Sequence, residues 1–296
     1  MLTGFETRVI DVDGSRVALS TAGEGPPLLL LHGYPQTRAC WHRIAPDLAR
    51  RFTVVAADLR GYGDSAKPPG GADHAEYSKR AMAADLVGAM RALGHGRFAV
   101  AGHDRGGRVA HRMALDHPGV VERAAVLDIV PTRTLFAGAD QAFATAYYHW
   151  FFLIQPDGLP ETMIGHDPEW FLRETLRRWS GRAEPLAEEA VAVYARSFRD
   201  PAAIHGSCED YRAAATIDLR HDAEDSDARI ACPLLVLWGE HGAMHRLYDV
   251  LGTWRALADD VRGHAVPCGH FLPEEGPEET LRALTGFFGE GSGTTG

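Results

Sequence analysis

The sequence predicts an α/β fold: a mostly parallel β-sheet flanked by helices and interrupted by a long helical insertion. Three observations carry that prediction. Continuous aliphatic runs recur at Pro26–Gly33, Phe52–Gly61, Arg97–Gly102, Arg123–Val130 and Cys232–Gly239. Such runs suit strands buried on both faces of a parallel sheet. Helix-period segments at Cys40–Arg50, Lys79–Leu93 and Arg108–His117 separate them, which is the alternation of an α/β protein. The alternation then stops at Pro131 and resumes at Ile230.

Each element has a local reason. Thr7–Val12 and Arg16–Ser20 are short β-like runs joined by Asp13-Gly14, a turn pair. From Pro131 to about Asp227 the chain is rich in Trp, Tyr, Phe, Arg and Glu. Helical periods there fit Leu135–Leu153, Pro168–Trp179, Pro185–Phe198 and Pro201–Ala215. The expected organisation is a core in two parts, 1–130 and 228–288, a helical lid at 131–227, and a small, polar, disordered tail at 289–296. A lid so placed would cover the carboxyl edge of the sheet, where such folds bind ligands.

Composition narrows the function. The 296 residues are 45% hydrophobic and 24% charged, which excludes wholesale disorder. Thirty Lys+Arg against forty Asp+Glu give a net charge of −10, so no nucleic-acid partner is expected. No apolar stretch of about 18 residues predicts a membrane span. The opening MLTGFETRVIDV lacks the pattern of a signal peptide, and Cys40, Cys208, Cys232 and Cys268 form no C-x-x-C pair. A cytoplasmic protein with free thiols is therefore the expectation. Fifteen histidines invite a metal reading. His241 and His245 are i, i+4, yet there is no H-E-x-x-H, so neither metal nor cofactor is expected.

The most informative residues are Gly102-His103-Asp104-Arg105-Gly106, between a strand-like run and a helix. G-x-Nuc-x-G in that context is a nucleophile elbow. Asp stands where Ser is usual. A carboxylate can displace a leaving group from sp³ carbon and form an enzyme ester, whose hydrolysis then needs an activated water. The bland alternative is a glycine-rich turn with an N-capping Asp. Chain order places the base after the last strand, at His270. Its acid is Asp128 or Glu240, each at a strand end. Backbone N–H groups of Arg105 and Tyr34 are the expected oxyanion donors.

These and other motifs resemble one family. HGYPQT (32–37), DLRGYGDS (58–65), GHDRGGR (102–108), LDIVPT (127–132), YHW (148–150), CEDYRAA (208–214) and GHFLPEE (269–275) are similar to the α/β-hydrolase haloacetate dehalogenases. The resemblance runs from about Arg16 to about Phe288. It implies an α/β-hydrolase fold, with Asp104 as nucleophile, His270 as base and Asp128 as acid. Arg105 and Arg108 would bind the substrate carboxylate, and His149, Trp150 and Tyr211 would cradle the halide. It also implies a small haloacid substrate and a homodimer packed through the lid. Physically, a carboxylate attacking an anionic substrate needs cations, and two arginines three residues apart share one helical turn. The alternatives are that Arg105 pairs with a lid acid and that His149-Trp150 is only aromatic packing. An epoxide hydrolase uses the same Asp and His. Its usual Trp after the nucleophile is here Arg105, which favours an anionic substrate.

Overall fold

The computed structural model describes residues 2–181 and 186–290. Within them an eight-stranded sheet has the order β1-β2-β4-β3-β5-β6-β7-β8. The strands are β1 Glu6–Val12, β2 Ser15–Ala22, β3 Pro27–Leu31, β4 Thr53–Ala57, β5 Phe98–His103, β6 Val121–Leu127, β7 Leu234–Gly239 and β8 Val261–Val266. The Asp13-Gly14 turn joins β1 to β2, and β2 pairs antiparallel with β4. Every later pairing is parallel. Leu28–Leu31, Val54–Ala57 and Leu234–Val236 are buried, as expected of strands covered on both faces.

Before the insertion come α1 Ala45–Leu48, α2 Lys79–Ala92 and α3 Arg105–Asp116. Cys40–Arg50 is not one helix. A 3₁₀ turn at Arg38–Trp41 precedes α1, which starts afresh with Pro46 in its first turn. Pro lacks the N–H that a continuous helix would need there.

Between β6 and β7 lie α4 Thr132–Ala137, α5 Gln141–Ala146, α6 His149–Phe152, α7 Leu159–His166, α8 Pro168–Trp179, α9 Glu188–Phe198, α10 Pro201–Ala215 and α11 Ile217–Glu224. The segment read as one helix, Leu135–Leu153, is three short ones. Gly138 closes α4, and the Asp140 side chain caps α5 through the Phe143 N–H. Asp167 and Asp200 cap α8 and α10, each ahead of a proline. Pro185, the expected start of the next helix, and residues 291–296 of the expected tail lie outside the described residues. After β7 follow α12 Ala243–Leu247, α13 Val250–Arg255, α14 Leu272–Glu275 and α15 Pro277–Gly289. No helix of the described residues is long and apolar enough to cross a membrane.

Candidate active site

The chain leaves β5 at His103 and turns at Asp104 into α3. Asp104 has φ 46° and ψ −113°. A non-glycine residue in that region carries about 1–3 kcal/mol of strain and persists only where its surroundings hold it. Here the Asp104 N–H donates to Leu127 O at 3.1 Å, and the Gly106 N–H donates to His32 O at 2.9 Å. Asp104 occupies the N-cap position of α3, but its side chain makes no capping bond. Its Oδ2 instead accepts the Tyr34 N–H at 2.9 Å. Gly33 permits this approach, since a Cβ there would lie 2.8 Å from Oδ2. Burial opposes ionisation of Asp104. The charges of His270, Arg105, His103 and Arg108 prevail and hold the carboxyl below its ordinary pKa.

His270 lies in the loop between β8 and α14. Its Nδ1 is 2.6 Å from Asp128 Oδ2. Asp128 follows β6 directly with φ 53°, and its Oδ1 accepts the Gly239 N–H at 2.9 Å. With Nδ1–H donating to Asp128, the ring's lone pair is on Nε2, which is buried and without a partner. Burial pulls the His270 pKa down, but the bond to Asp128 and the nearby carboxylates raise it above the ordinary value. Glu240, the other candidate acid, is exposed.

The two arginines differ. Arg105 is fully buried, and Asp210 of α10 takes its Nε at 2.7 Å and its Nη2 at 2.8 Å. The alternative of a pair with an acid from the insertion is therefore realised, and only Nη1 is left without a partner. Arg108 has no carboxylate partner among the described residues. Its Nη1 donates to Val130 O at 2.9 Å and Thr132 Oγ1 at 3.1 Å, and its Nε is unpaired. Burial, then the Arg105 charge, push its pKa down to about 10. Both guanidinium groups face the Trp150 ring, at 5.3 Å for Arg105 and 4.6 Å for Arg108.

The insertion supplies the rest. His149, Trp150 and Tyr211 are buried together with Tyr34. The Tyr211 ring is 5.4 Å from Tyr34, 5.5 Å from Trp150 and 5.6 Å from His149. Tyr34 Oη, His149 Nδ1, Trp150 Nε1 and Tyr211 Oη all lack hydrogen-bond partners among the described residues. Buried polar atoms are nearly always paired. Trp and Arg nitrogens can only donate, so this cluster suits an occupant rich in acceptors. Burial takes His149 down to about 3, keeping its ring neutral. A cavity of about 290 Å³ reaches Asp128 and His270 past Tyr147, Trp179 and Gly242.

Residues 26–277 match the model of the α/β hydrolase fold family. The chain belongs to the α/β-hydrolase family. It is 48% identical to a fluoroacetate dehalogenase of Burkholderia sp, over 98% of this chain and 96% of that protein. It is 36% identical to the soluble epoxide hydrolase of Corynebacterium sp. (strain C12), over 94% of this chain and 95% of that one. A solved structure of a proposed α/β hydrolase from Nostoc sp PCC 7120 superposes with a TM-score of 0.97. It is 58% identical, over 98% of this chain and 100% of that one.

Within this α/β hydrolase, sequence reasoning missed several residues around the site. Asp210 stands next to Tyr211 in a motif singled out for the tyrosine alone. It also pairs with Lys79 and accepts the Tyr62 hydroxyl at 2.7 Å. Trp179 lies 4.3 Å from the His149 ring and 5.3 Å from the His270 ring. His245, half of the i, i+4 pair, accepts the Trp238 indole N–H at 2.9 Å.

Proposed function

We propose that the protein hydrolyses the carbon–halogen bond of haloacetates, releasing halide and glycolate. The observation that carries this reading is Arg108, a buried guanidinium with no carboxylate partner among the described residues, one helical turn from an ionised Asp104. A buried unpaired cation is costly, and a substrate carboxylate would complete it. The 48% identity to a fluoroacetate dehalogenase supports the same substrate class.

In this reading Asp104 Oδ1 attacks the halogen-bearing carbon, because Oδ2 is held by the Tyr34 N–H. The carbon–halogen bond breaks and its electron pair leaves with the halide. Trp150, Tyr211 and His149 offer their N–H and O–H groups to that developing charge. Arg108 and the free Nη1 of Arg105 hold the carboxylate. A water then adds to Asp104 Cγ and gives its proton to His270 Nε2, while negative charge builds on Oδ2. The Cγ–Oδ1 bond breaks, the imidazolium returns that proton to the product oxygen, and the water's second proton leaves the regenerated Asp104 carboxyl for solvent. Asp128 keeps the ring oriented and stabilises its charged form. No metal or cofactor takes part in this scheme.

Residues 131–227 act as a lid in this proposal, since they supply the halide cradle. Homodimerisation through that lid belongs to it too. Leu159 and Met163 of α7 and Trp170 of α8 are exposed apolar side chains that support such a contact. A cytoplasmic location completes the proposal.

Epoxide hydrolysis is the second reading. The unpaired hydroxyls of Tyr34 and Tyr211 favour it, as does the 36% identical epoxide hydrolase. Product release from fluoroacetate, chloroacetate and styrene oxide, measured side by side, tests the two. Turnover of haloacetates but not the epoxide is expected. Turnover of the epoxide alone would reverse the assignment.

A further inference from the structure

The backbone around His270 is tied down on both sides by residues that touch no reacting atom in the scheme above. Glu275, at the end of α14, is buried. Its Oε1 accepts the Phe271 N–H at 2.9 Å, and its Oε2 accepts the Gly269 N–H at 3.0 Å. One carboxylate thus holds the N–H groups of both residues flanking His270. The same Oε2 accepts the Gly181 N–H at 2.8 Å, from the segment that follows α8. The carbonyl of His270 is held separately. His103 Nε2 lies 2.7 Å from it, and that nitrogen must carry the proton to bond a carbonyl. The His270 N–H donates to Trp179 O at 3.1 Å. The two backbones touch: a Cβ on Gly181 would lie 2.6 Å from Gly269 N, and one on Gly269 would collide with Gly181 N.

We propose that Glu275 and His103 are positioning residues for His270, and that Glu275 couples the His270 loop to the inserted segment at Gly181. Ester hydrolysis then requires that segment to be docked. The inference rests on the proposed two-step reaction. The ring of His270 is oriented at Nδ1 by Asp128, but its Cα is placed by this backbone clamp. Asp128 alone cannot fix Nε2 relative to Asp104 Cγ if the loop drifts. A catalytic group must be held within about 0.5 Å of its working position. The first chemical step needs no base, and Asp104 itself is held by Leu127 O and the Tyr34 N–H rather than by Glu275. Loosening the clamp therefore slows the second step selectively.

The test uses Glu275→Gln, Glu275→Ala and His103→Leu in the full chain, with chloroacetate as substrate. Rapid-mixing chloride release and intact-protein mass are measured together. The expected result is a burst of one chloride per site, a steady rate roughly ten- to hundredfold below wild type, and accumulation of a carboxymethylated protein. A purely structural role would shrink the burst with the folded fraction and accumulate no adduct, and that outcome overturns the proposal. So does a steady rate equal to wild type. If the Glu275 variants do not fold, His103→Leu decides in the same way. Hydrogen exchange tests the coupling: in Glu275→Gln the amides of Gly181, Gly269 and Phe271 should lose protection together. Loss at Gly269 and Phe271 alone would remove the inserted segment from the device. His270→Asn is the control. If it forms no adduct and the wild type releases no chloride, the reaction assignment has failed rather than the clamp.

Discussion

Arg105 and Asp210 form a two-point ion pair with both side chains fully buried, Nε to Oδ2 at 2.7 Å and Nη2 to Oδ1 at 2.8 Å. Arg108, one turn further along the same helix, has no such partner among the described residues. The pair ties the elbow to α10, and so fixes Tyr211 beside the site. Three of the five guanidinium hydrogens of Arg105 are already committed to Asp210, including the bond to its carbonyl at 2.9 Å. In the proposed reaction the substrate role therefore falls mainly to Arg108.

Substituting the two arginines should therefore give different phenotypes. Arg105→Met takes two side-chain bonds from buried Asp210, which keeps Lys79 and Tyr62 as partners, and should cost at most about 3–5 kcal/mol of stability. Arg108→Met removes an unpaired buried charge and should leave the melting temperature unchanged or raised. It should lower kcat/KM for chloroacetate roughly ten- to hundredfold. Melting curves and kinetics on both variants check this. Equal destabilisation with equal activity loss would mean that both are structural.

The positions of Asp104 and His270 were legible in the sequence because their backbones allow few alternatives. A residue forced to positive φ between a buried strand and a helix leaves a glycine signature, and Asp104 has it. His270 follows the last strand. Asp128 needed the structure to separate it from Glu240, because both end strands and only one turns inward. Asp210 was not legible. Its pairing with Arg105 spans 105 residues and leaves no local pattern. The boundaries within Leu135–Leu153 had a local signal, Gly138 followed by Asp140, but the hydrophobic period runs through it unbroken. The Glu275 clamp has no signature at all, because its acceptors bind backbone N–H groups that every sequence carries.

His270→Asn should stop the reaction at the ester, with one carboxymethyl group added to the protein mass. In the wild type, the hydrolytic limb of the pH profile should rise with pH, because the base works in its neutral form. Burial lowers the His270 pKa, but the Asp128 bond outweighs it and favours the charged ring, so the midpoint is expected above the ordinary histidine value of 6.5. Asp128→Asn removes that bond, so the limb should move to lower pH while the rate falls. A limb that did not move would separate Asp128 from the base. Presteady-state hydrolysis rates across pH provide the measurement.

Trp150→Phe should penalise fluoride departure more than chloride departure. It keeps the ring under Arg108 and deletes a donor that has no other partner. Removing a donor aimed at developing charge costs about 2.7–4 kcal/mol, and the small, strongly hydrated fluoride depends on it most. Halide release from fluoroacetate and chloroacetate should fall by unequal factors. Equal factors would make Trp150 a packing residue.

Glu274→Gln should flatten the pH dependence of stability. Burial raises the pKa of this carboxyl to about 8 in the fold, against an ordinary 4.5. Its contribution is full below about 4.5 and is lost as pH rises towards about 8. The wild type should therefore lose stability across that window and the variant should lose less. Urea midpoints at several pH values decide it. Parallel curves for the two proteins would assign the slope to other groups.

The central claim is that Asp104 bonds covalently to the substrate carbon, and one isotope experiment reaches it directly. A single turnover of chloroacetate by excess enzyme is run in ¹⁸O-water. Because water attacks Cγ and the Cγ–Oδ1 bond breaks, the glycolate hydroxyl must come from Asp104. The expected result is unlabelled glycolate and one ¹⁸O in the peptide that contains Asp104. Labelled glycolate from that first turnover, with an unlabelled peptide, would mean that water attacks the substrate carbon itself and would contradict the account.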